Sequence, residues 1–469
     1  MNRVSMPTRL PAPAWESLEP RLLLSTAYTP GDDVILYWNQ VAMDALLADS
    51  QAEAPQQGGP TPASRAAAIV FAAMADAYAA VTGEFEPYLV DGTCPQADVL
   101  AAVSQSAHDT LSALFSDQRP AFDDALDDVL EAVPDGQAEQ KGVTFGASVA
   151  GEILGAREND NADAAVAYTL RGVLGSYAVD PLHLDQTPLT PGWGRVTPYA
   201  IESSTQFGPP PFPALTSEDY AAVFNEVKAV GAADAETADR DGDGVPDRTP
   251  EQTEIGLFWA YDSGLGTPMR LYDQVLVAVA DQQDNTVGQN ARLFGLAFLA
   301  MADAGITAWQ AKYEYDVWRP VLGIRYAAVD GNSDTFEETD WTPLGAPDHL
   351  GGTPFTPPFP SYTSGHATFG GALFEVLRRF YGTDEIAFSL TSEETGTTRQ
   401  YDTLSQPQQE NLLSRLYLGV HWRSDQVEGD IDGVEIGEYV YDHVYTPTPA
   451  RLDSLATCDV PGLPKGAVT

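Results

Sequence analysis

Basic residues are scarce in this chain. Its 469 residues include 24 Lys and Arg, of which four are lysine, against 68 Asp and Glu, for a formal charge of −44 and a pI near 4.1. Such a surface repels nucleic acid and anionic lipid, so neither is an expected partner. Cysteine is scarcer still. Cys94 and Cys458 are the only two, too few for a thiolate metal cluster or a disulfide-framework fold. They leave open either one bridge closing a long loop or two unpaired thiols. No apolar run approaches the roughly 18 to 20 residues of a membrane-spanning helix, so no span is expected. The first 25 residues hold Arg3, Arg9, several prolines and only the short run Leu22-Leu23-Leu24, which does not make a conventional secretory signal. Strand-like alternation is nearly absent as well, which argues against a β or α/β fold.

What the chain does have is helical periodicity. With 43% hydrophobic residues it can bury a sizeable core. Apolar residues recur at helical spacing over Ala63 to Val81, Gly288 to Tyr313, Gly365 to Tyr381 and Pro407 to Gly419. Segments rich in Pro, Gly and Asp separate them: Gln56 to Pro62, Asp180 to Pro213, Asp330 to Pro360 and the tail after Tyr445. No internal repeat is visible. The simplest organisation is an all-α helical-bundle domain over 28–445, after a leading segment 1–27 and before a tail 446–469.

Against so acidic a background, three basic motifs stand out. Lys312-Tyr-Glu-Tyr-Asp-Val-Trp-Arg319-Pro320 closes a strongly apolar helix. Its two cations are two helical turns apart, so on a continuous helix they share a face about 10 Å apart along the axis. Phe359-Pro-Ser-Tyr-Thr-Ser364-Gly365-His366 opens another helix, with Thr363 or Ser364 as N-cap and the amides at Gly365 and His366 free for an anion. Ser414-Arg415-Leu-Tyr-Leu-Gly-Val-His421-Trp-Arg-Ser-Asp425 sets His421 and Asp425 four apart. There a carboxylate can hold one ring nitrogen and leave the other as nucleophile or metal ligand. Arg415 is six before His421, an offset of about 120° on one helix, so a break near Gly419 is expected. Taken singly, each has a plain reading as solvated helix-end charges, an ordinary cap or a helix-stabilising pair. Together they supply a lysine, two arginines, a hydroxyl, exposed amides and two histidines, a donor set suited to a highly charged tetrahedral oxyanion.

The same order and spacing resembles the vanadium-dependent haloperoxidases and their relatives, the type 2 phosphatidic acid phosphatases. DAGITAWQAKYEYDVWRP, TPPFPSYTSGHATFGGALFEVLRRFY and LSRLYLGVHWRSD are similar to the chloroperoxidase branch, with weaker similarity from Trp38-Asn39 to Gly437. The resemblance implies two four-helix bundles and a vanadate cofactor. It also implies His421 as axial ligand, Lys312, Arg319, Ser364, Gly365 and Arg415 on the equatorial oxygens, and His366 as the acid–base residue. Trp309 and Phe359 match halide-pocket positions, and Asp262 matches a carboxylate that supports the site through Arg415. Thr363 departs from the proline usual there. The implied partners are hydrogen peroxide, halide and a small organic acceptor. The alternative within the superfamily is a phosphatase in which His421 attacks phosphorus and His366 protonates the leaving group.

Two further strings are separate from this constellation. Asp239, Asp241, Asp243 and Asp247, with Gly244 between them, have the spacing of an oxygen-ligand Ca²⁺ loop, although Pro250 stands where a standard EF-hand has glutamate. A solvated acidic turn is the alternative. SLEPRLLLS, Ser17 to Ser25, resembles the LEPR-type sorting motif of exported planctomycete proteins, which implies secretion or cell-surface attachment.

Overall fold

Helices form where the apolar period lies. The computed structural model describes residues 27–240, 242–347 and 354–448. Its N-terminal part runs through α1 (Val34–Ser50), α2 (Pro60–Thr82), α3 (Val99–Leu114), α4 (Arg119–Leu130) and α5 (Gln137–Arg157). A long, mostly irregular stretch leads to α6 (Glu218–Val230) and α7 (Pro250–Phe258). The C-terminal part holds α8 (Thr267–Gln282), α9 (Val287–Tyr315), α10 (Pro320–Arg325), α11 (Gly365–Tyr381), α12 (Ser405–Tyr417) and α13 (Arg423–His443). The four periodic segments fall on α2, α9, α11 and α12. Two local differences have plain causes. The connection expected over Gln56 to Pro62 turns helical at Pro60, because a proline's fixed φ and missing N–H suit a helix's first turn. The described residues also include an antiparallel hairpin, β1 (Phe388–Thr391) and β2 (Thr398–Tyr401), with Phe388 opposite Tyr401.

The interior is organised on α2 and α9. Both are long and apolar enough to cross a membrane by length and composition, yet 89% and 94% of their most apolar stretches are buried inside the molecule. α2 packs on α3 and α9, and α3 on α5; α9 also packs on α11 and α13, which α12 joins. The helices therefore gather in two groups that share α9, and one continuous apolar core runs from Tyr28 to Tyr445. A smaller cluster of Tyr220, Phe224, Trp318, Trp341 and Trp422 supports the chain beside His421.

Glycine spacing brings the second and third motifs together. Gly429, Gly433 and Gly437 repeat every four residues along α13 and face α11. A Cβ at Gly433 would lie 2.2 Å from the Thr368 carbonyl oxygen, and one at Gly437 would lie 2.6 Å from that of Ala372. No side chain fits there, so the two backbones approach closely. The start of α11 is thereby held beside the start of α13, where the Ser364 N–H donates to the Asp425 carbonyl at 2.8 Å.

Three features named from the sequence fall outside the described residues: the Ser17 to Ser25 string, Asp241 and Cys458. Cys94 is buried and is not a free thiol.

Candidate active site

The first motif is built differently from a continuous helix. α9 ends at Tyr315, and Asp316 reverses the chain in the left-handed region at φ 57°. Arg319 then stands as N-cap of α10, with Pro320 at its first position. Lys312 and Arg319 converge through this turn rather than along one helical face, because a proline after Arg319 disfavours helical backbone at that residue. Both are buried, at 0% and 1% exposure.

Lys312 is committed to the loop before α11. Its Nζ donates to the carbonyls of Pro360 at 3.1 Å, Ser361 at 3.0 Å and Thr363. Three acceptors use all three ammonium protons, so the lysine clamps the extended segment that delivers Ser364. Phe359 lies against both cations, with Lys312 Nζ 5.0 Å and the Arg319 guanidinium 4.9 Å from its ring centre. Trp309, one turn before Lys312, meets the same ring at 4.9 Å. Ser364 is the N-cap of α11 and its Oγ accepts from the Ala367 N–H, so of the two caps considered Ser364 holds the position. The amides of Gly365 and His366 have no partner inside the helix, as at any helix start. A Cβ at Gly365 would lie 3.1 Å from the Trp309 ring, so a side chain there would crowd the cradle.

In the third motif α12 ends at Tyr417, and Gly419 turns the chain at φ 71°. This is the break expected between Arg415 and His421. His421 lies just ahead of α13 instead of on it, while Asp425 is in its first turn. The pair forms nonetheless. His421 Nδ1 is 2.8 Å from Asp425 Oδ2, and Arg319 Nη1 is 2.9 Å from His421 Nε2. A guanidinium can only donate, so Nε2 must accept and the proton sits on Nδ1. The tautomer is set from both sides, and the Nε2 lone pair points toward the cations. Asp425 Oδ2 also accepts from the Trp422 N–H at 3.0 Å and from Ser361 Oγ.

Burial and mutual repulsion shape the electrostatics. Desolvation, then Arg319 and Arg415, push the Lys312 ammonium well below its usual range, although Asp425 opposes them. Desolvation lowers Arg319 and Arg415 to about 10, with Asp425 and Asp262 as their main opposing charges. His366 and His421 are both held well below 6.5 by burial and by the surrounding cations. Burial raises Asp425 above the usual carboxylate range, against the pull of Ser361 and Lys312. Three cations thus face two carboxylates, one of which, Asp262, is only partly buried and caps the turn at Ser263.

Several of these groups are unfinished. Arg319 Nη2, Arg415 Nε, His366 Nε2 and Trp309 Nε1 are buried and have no hydrogen-bond partner. Buried polar groups are nearly always paired, so four orphans together mark room for a guest. Arg415, His366, His421, Gly365, Trp309, Phe359 and Asp262 line one cavity of about 610 Å³. Sequence reasoning missed Ser361, whose hydroxyl lies inside the second motif but carried no spacing signal that could link it to Asp425. It missed Tyr272 and Asn411 too, which hold the His366 carbonyl at 3.0 and 2.9 Å from other helices.

The acidic loop is separate from this centre. Asp239 accepts from the amides of Gly242 and Gly244, and Asp247 pairs with Arg240 at 3.1 Å. Among the described residues no group of three or more His, Cys, Asp or Glu is arranged to hold a metal ion.

The helical bundle thus gathers a buried, cation-rich cluster around a neutral histidine. The comparisons narrow this. Residues 27–186 match the vanadium chloroperoxidase N-terminal domain, and residues 292–448 match the second helical-bundle domain of the same enzyme. The chain belongs to the vanadium haloperoxidase family. Vanadium chloroperoxidase of Curvularia inaequalis is 28% identical over 344 residues, which span 59% of this chain and 55% of that protein. The chain thus matches about half the length of this relative. A bacterial vanadium-dependent iodoperoxidase structure superposes with a TM-score of 0.74 at 21% identity, covering 91% of this chain and 99% of that one. A holo-type bacterial vanadium-dependent chloroperoxidase gives 0.61 at 15% identity, covering 84% and 94%. At these identities the structures speak to the fold.

Proposed function

We propose that this chain oxidises halide with hydrogen peroxide, using vanadate held at His421. The observation that carries the reading is the set of buried, unpartnered donors gathered around His421 Nε2. The residues fit vanadate. Arg319 and Arg415 would donate to its oxygens, with the Ser364 hydroxyl and the Gly365 amide at the positive end of α11. His421 Nε2, already neutral and aimed by Asp425, would hold the vanadium. Ligation there would release Arg319 Nη1 for a second bond to the oxyanion. Vanadate, when bound, supplies a Lewis acid that activates hydrogen peroxide without itself changing oxidation state.

The remaining chemistry falls to the chain. His366, neutral with Nε2 open to the cavity, would take a proton from peroxide and return it to a departing oxygen. Trp309 Nε1 is a buried N–H donor on the same cavity wall as Phe359, where a halide would be held. Lys312 contributes positive charge and the placement of Ser364; donating to the oxyanion would require it to release one of its three carbonyls. The sum is halide, hydrogen peroxide and a proton giving hypohalous acid and water. An organic acceptor would then consume that acid. A calcium ion at Asp239 to Asp247 is an expectation outside this chemistry.

The test is peroxide-dependent halogenation of monochlorodimedone with chloride, bromide and iodide, before and after orthovanadate, beside hydrolysis of p-nitrophenyl phosphate. Halogenation that requires vanadate and is lost in His421→Ala is the expected result. Vanadate-inhibited phosphate hydrolysis with no halogenation under any halide would assign the cradle to a phosphatase.

A further inference from the structure

Ser361 commits its N–H, its carbonyl and its hydroxyl to the two motifs other than its own. It is fully buried. Its N–H donates to the Val317 carbonyl at 2.9 Å, and its carbonyl accepts from Lys312 Nζ at 3.0 Å. Both partners belong to the first motif. The hydroxyl reaches the third, where it bonds Asp425 Oδ2. The direction of that bond follows from chemistry: an ionised carboxylate can only accept, so the serine donates. His421 Nδ1 is 3.5 Å from the same hydroxyl, but its proton already lies toward Asp425 at 2.8 Å.

Asp425 is held at one end only. Oδ2 takes three donors, the His421 Nδ1–H, the Trp422 N–H at 3.0 Å and the Ser361 hydroxyl, whereas Oδ1 is buried with no partner. The orientation of the carboxylate therefore rests on the donors to Oδ2. One of these is the ring that Asp425 has to aim, and another is the N-cap residue of its own helix, α13. Ser361 is the donor that comes from a different part of the chain, and a bond to a charged acceptor is among the stronger hydrogen bonds. Three residues further on, the Ser364 N–H holds the Asp425 carbonyl at 2.8 Å, so the second motif grips both the side chain and the main chain of Asp425. In the empty site Arg319 Nη1 also pins the imidazole, by donating to Nε2 at 2.9 Å. A guest on Nε2 takes that place, and the ring then depends on Asp425 and hence on Ser361.

We propose that Ser361 is a positioning residue: its hydroxyl fixes the Asp425 carboxylate so that His421 keeps its proton on Nδ1 and presents Nε2 to the oxyanion. This rests on the haloperoxidase reading and deepens it, by naming the group that joins the cradle's second motif to the histidine of the third. Ser361→Ala isolates the hydroxyl, because the bonds to Val317 and Lys312 are made by main-chain atoms that the substitution leaves in place.

The experiment labels the six histidines with ¹⁵N and records long-range ¹H–¹⁵N spectra of protein without vanadate, with His421→Asn to identify the His421 signals. Wild type should show a single His421 tautomer with the proton on Nδ1. An Nε2–H tautomer, or a mixture, overturns the proposal before any Ser361 variant is made. In Ser361→Ala the Nδ1 proton should exchange with solvent roughly tenfold faster, the worth of about one hydrogen bond, and the second tautomer should appear. Orthovanadate affinity, read by equilibrium dialysis, should fall by about tenfold, the lower end of the loss for groups behind a metal ligand. Ser361→Thr, which keeps the hydroxyl, should restore both readings. A serine with a purely structural role would lower thermal stability in Ser361→Ala and leave the His421 spectrum and the vanadate affinity unchanged, which overturns the proposal. If Ser361→Ala does not fold, Ser361→Cys takes its place, since a thiol is a weak donor, and a wild-type spectrum there is equally fatal. A His421 tautomer that depends on Ser361 in a protein that halogenates nothing under any halide would sink the haloperoxidase reading and leave the role of Ser361 standing.

Discussion

Asp76 and Asp303 are as deeply buried as anything in the cradle, and the contrast between the two regions separates structure from function. Asp303 on α9 accepts from three successive amides, Tyr199, Ala200 and Ile201, at 2.7 to 3.0 Å. Asp76 on α2 does the same with Tyr88, Leu89 and Val90. Each carboxylate anchors a loop to a core helix. In the cradle Arg319 and Arg415 are almost as enclosed and His366 is partly so, yet each keeps a buried atom without a partner. A buried charge answered from within holds the fold together, and one left open has bonding capacity to spare.

The sharpest way to break this contrast is to empty each kind of site in turn. Asp303→Ala leaves three buried amides unpaired, which should lower stability by about 3 to 5 kcal/mol. Denaturant midpoints would report it, and a loss under 1 kcal/mol would mean that the loop finds other partners. Arg415→Leu should act in the opposite sense. Removing an incompletely paired buried cation should leave stability unchanged or slightly higher. Vanadate affinity, read by equilibrium dialysis, should fall by about 10²- to 10³-fold, the loss expected for one charged donor in a dry site. A variant destabilised by several kcal/mol that still binds vanadate as tightly as wild type would reverse the assignment.

The same contrast explains what could be read in advance. The helices were legible because apolar period reports burial directly, and α11 begins and ends where its pattern does. That these residues would meet was legible because a chain with four lysines makes Lys312 conspicuous, and because Arg319, Arg415 and the Ser-Gly-His run have strong chemistry. Geometry across breaks was harder. The turn at Asp316 replaced the expected helical face, since a residue entering the left-handed region leaves no periodic trace beforehand. Ser361 was invisible because a neutral side chain at an irregular position acquires its meaning only from a partner far along the chain, here Asp425.

Asp273 sharpens the comparison, because it lies between its two poles. It is fully buried on α8, takes one side-chain donor, Asn39 Nδ2 at 3.0 Å, and leaves Oδ1 without a partner. Burial raises its pKa from 3.8 to about 7, against Asn39 and Arg270. The unfolded chain loses this proton near 3.8 and the folded chain keeps it to about 7, so the folded state binds the extra proton in between. Its contribution to stability is therefore complete below pH 4 and is lost as pH rises through 7. Asp273→Asn stays neutral throughout, and its new amide can donate to Asn39 Oδ1, which is also unpartnered. Wild type and variant should unfold with similar free energy at pH 4, where the wild-type contribution is still complete. By pH 8 the variant should be ahead by on the order of 2 kcal/mol, with solvent relaxation trimming the full shift. A gap that does not change between those pH values would mean that Asp273 is already ionised, and that it belongs with Asp76 and Asp303 rather than between them and the cradle.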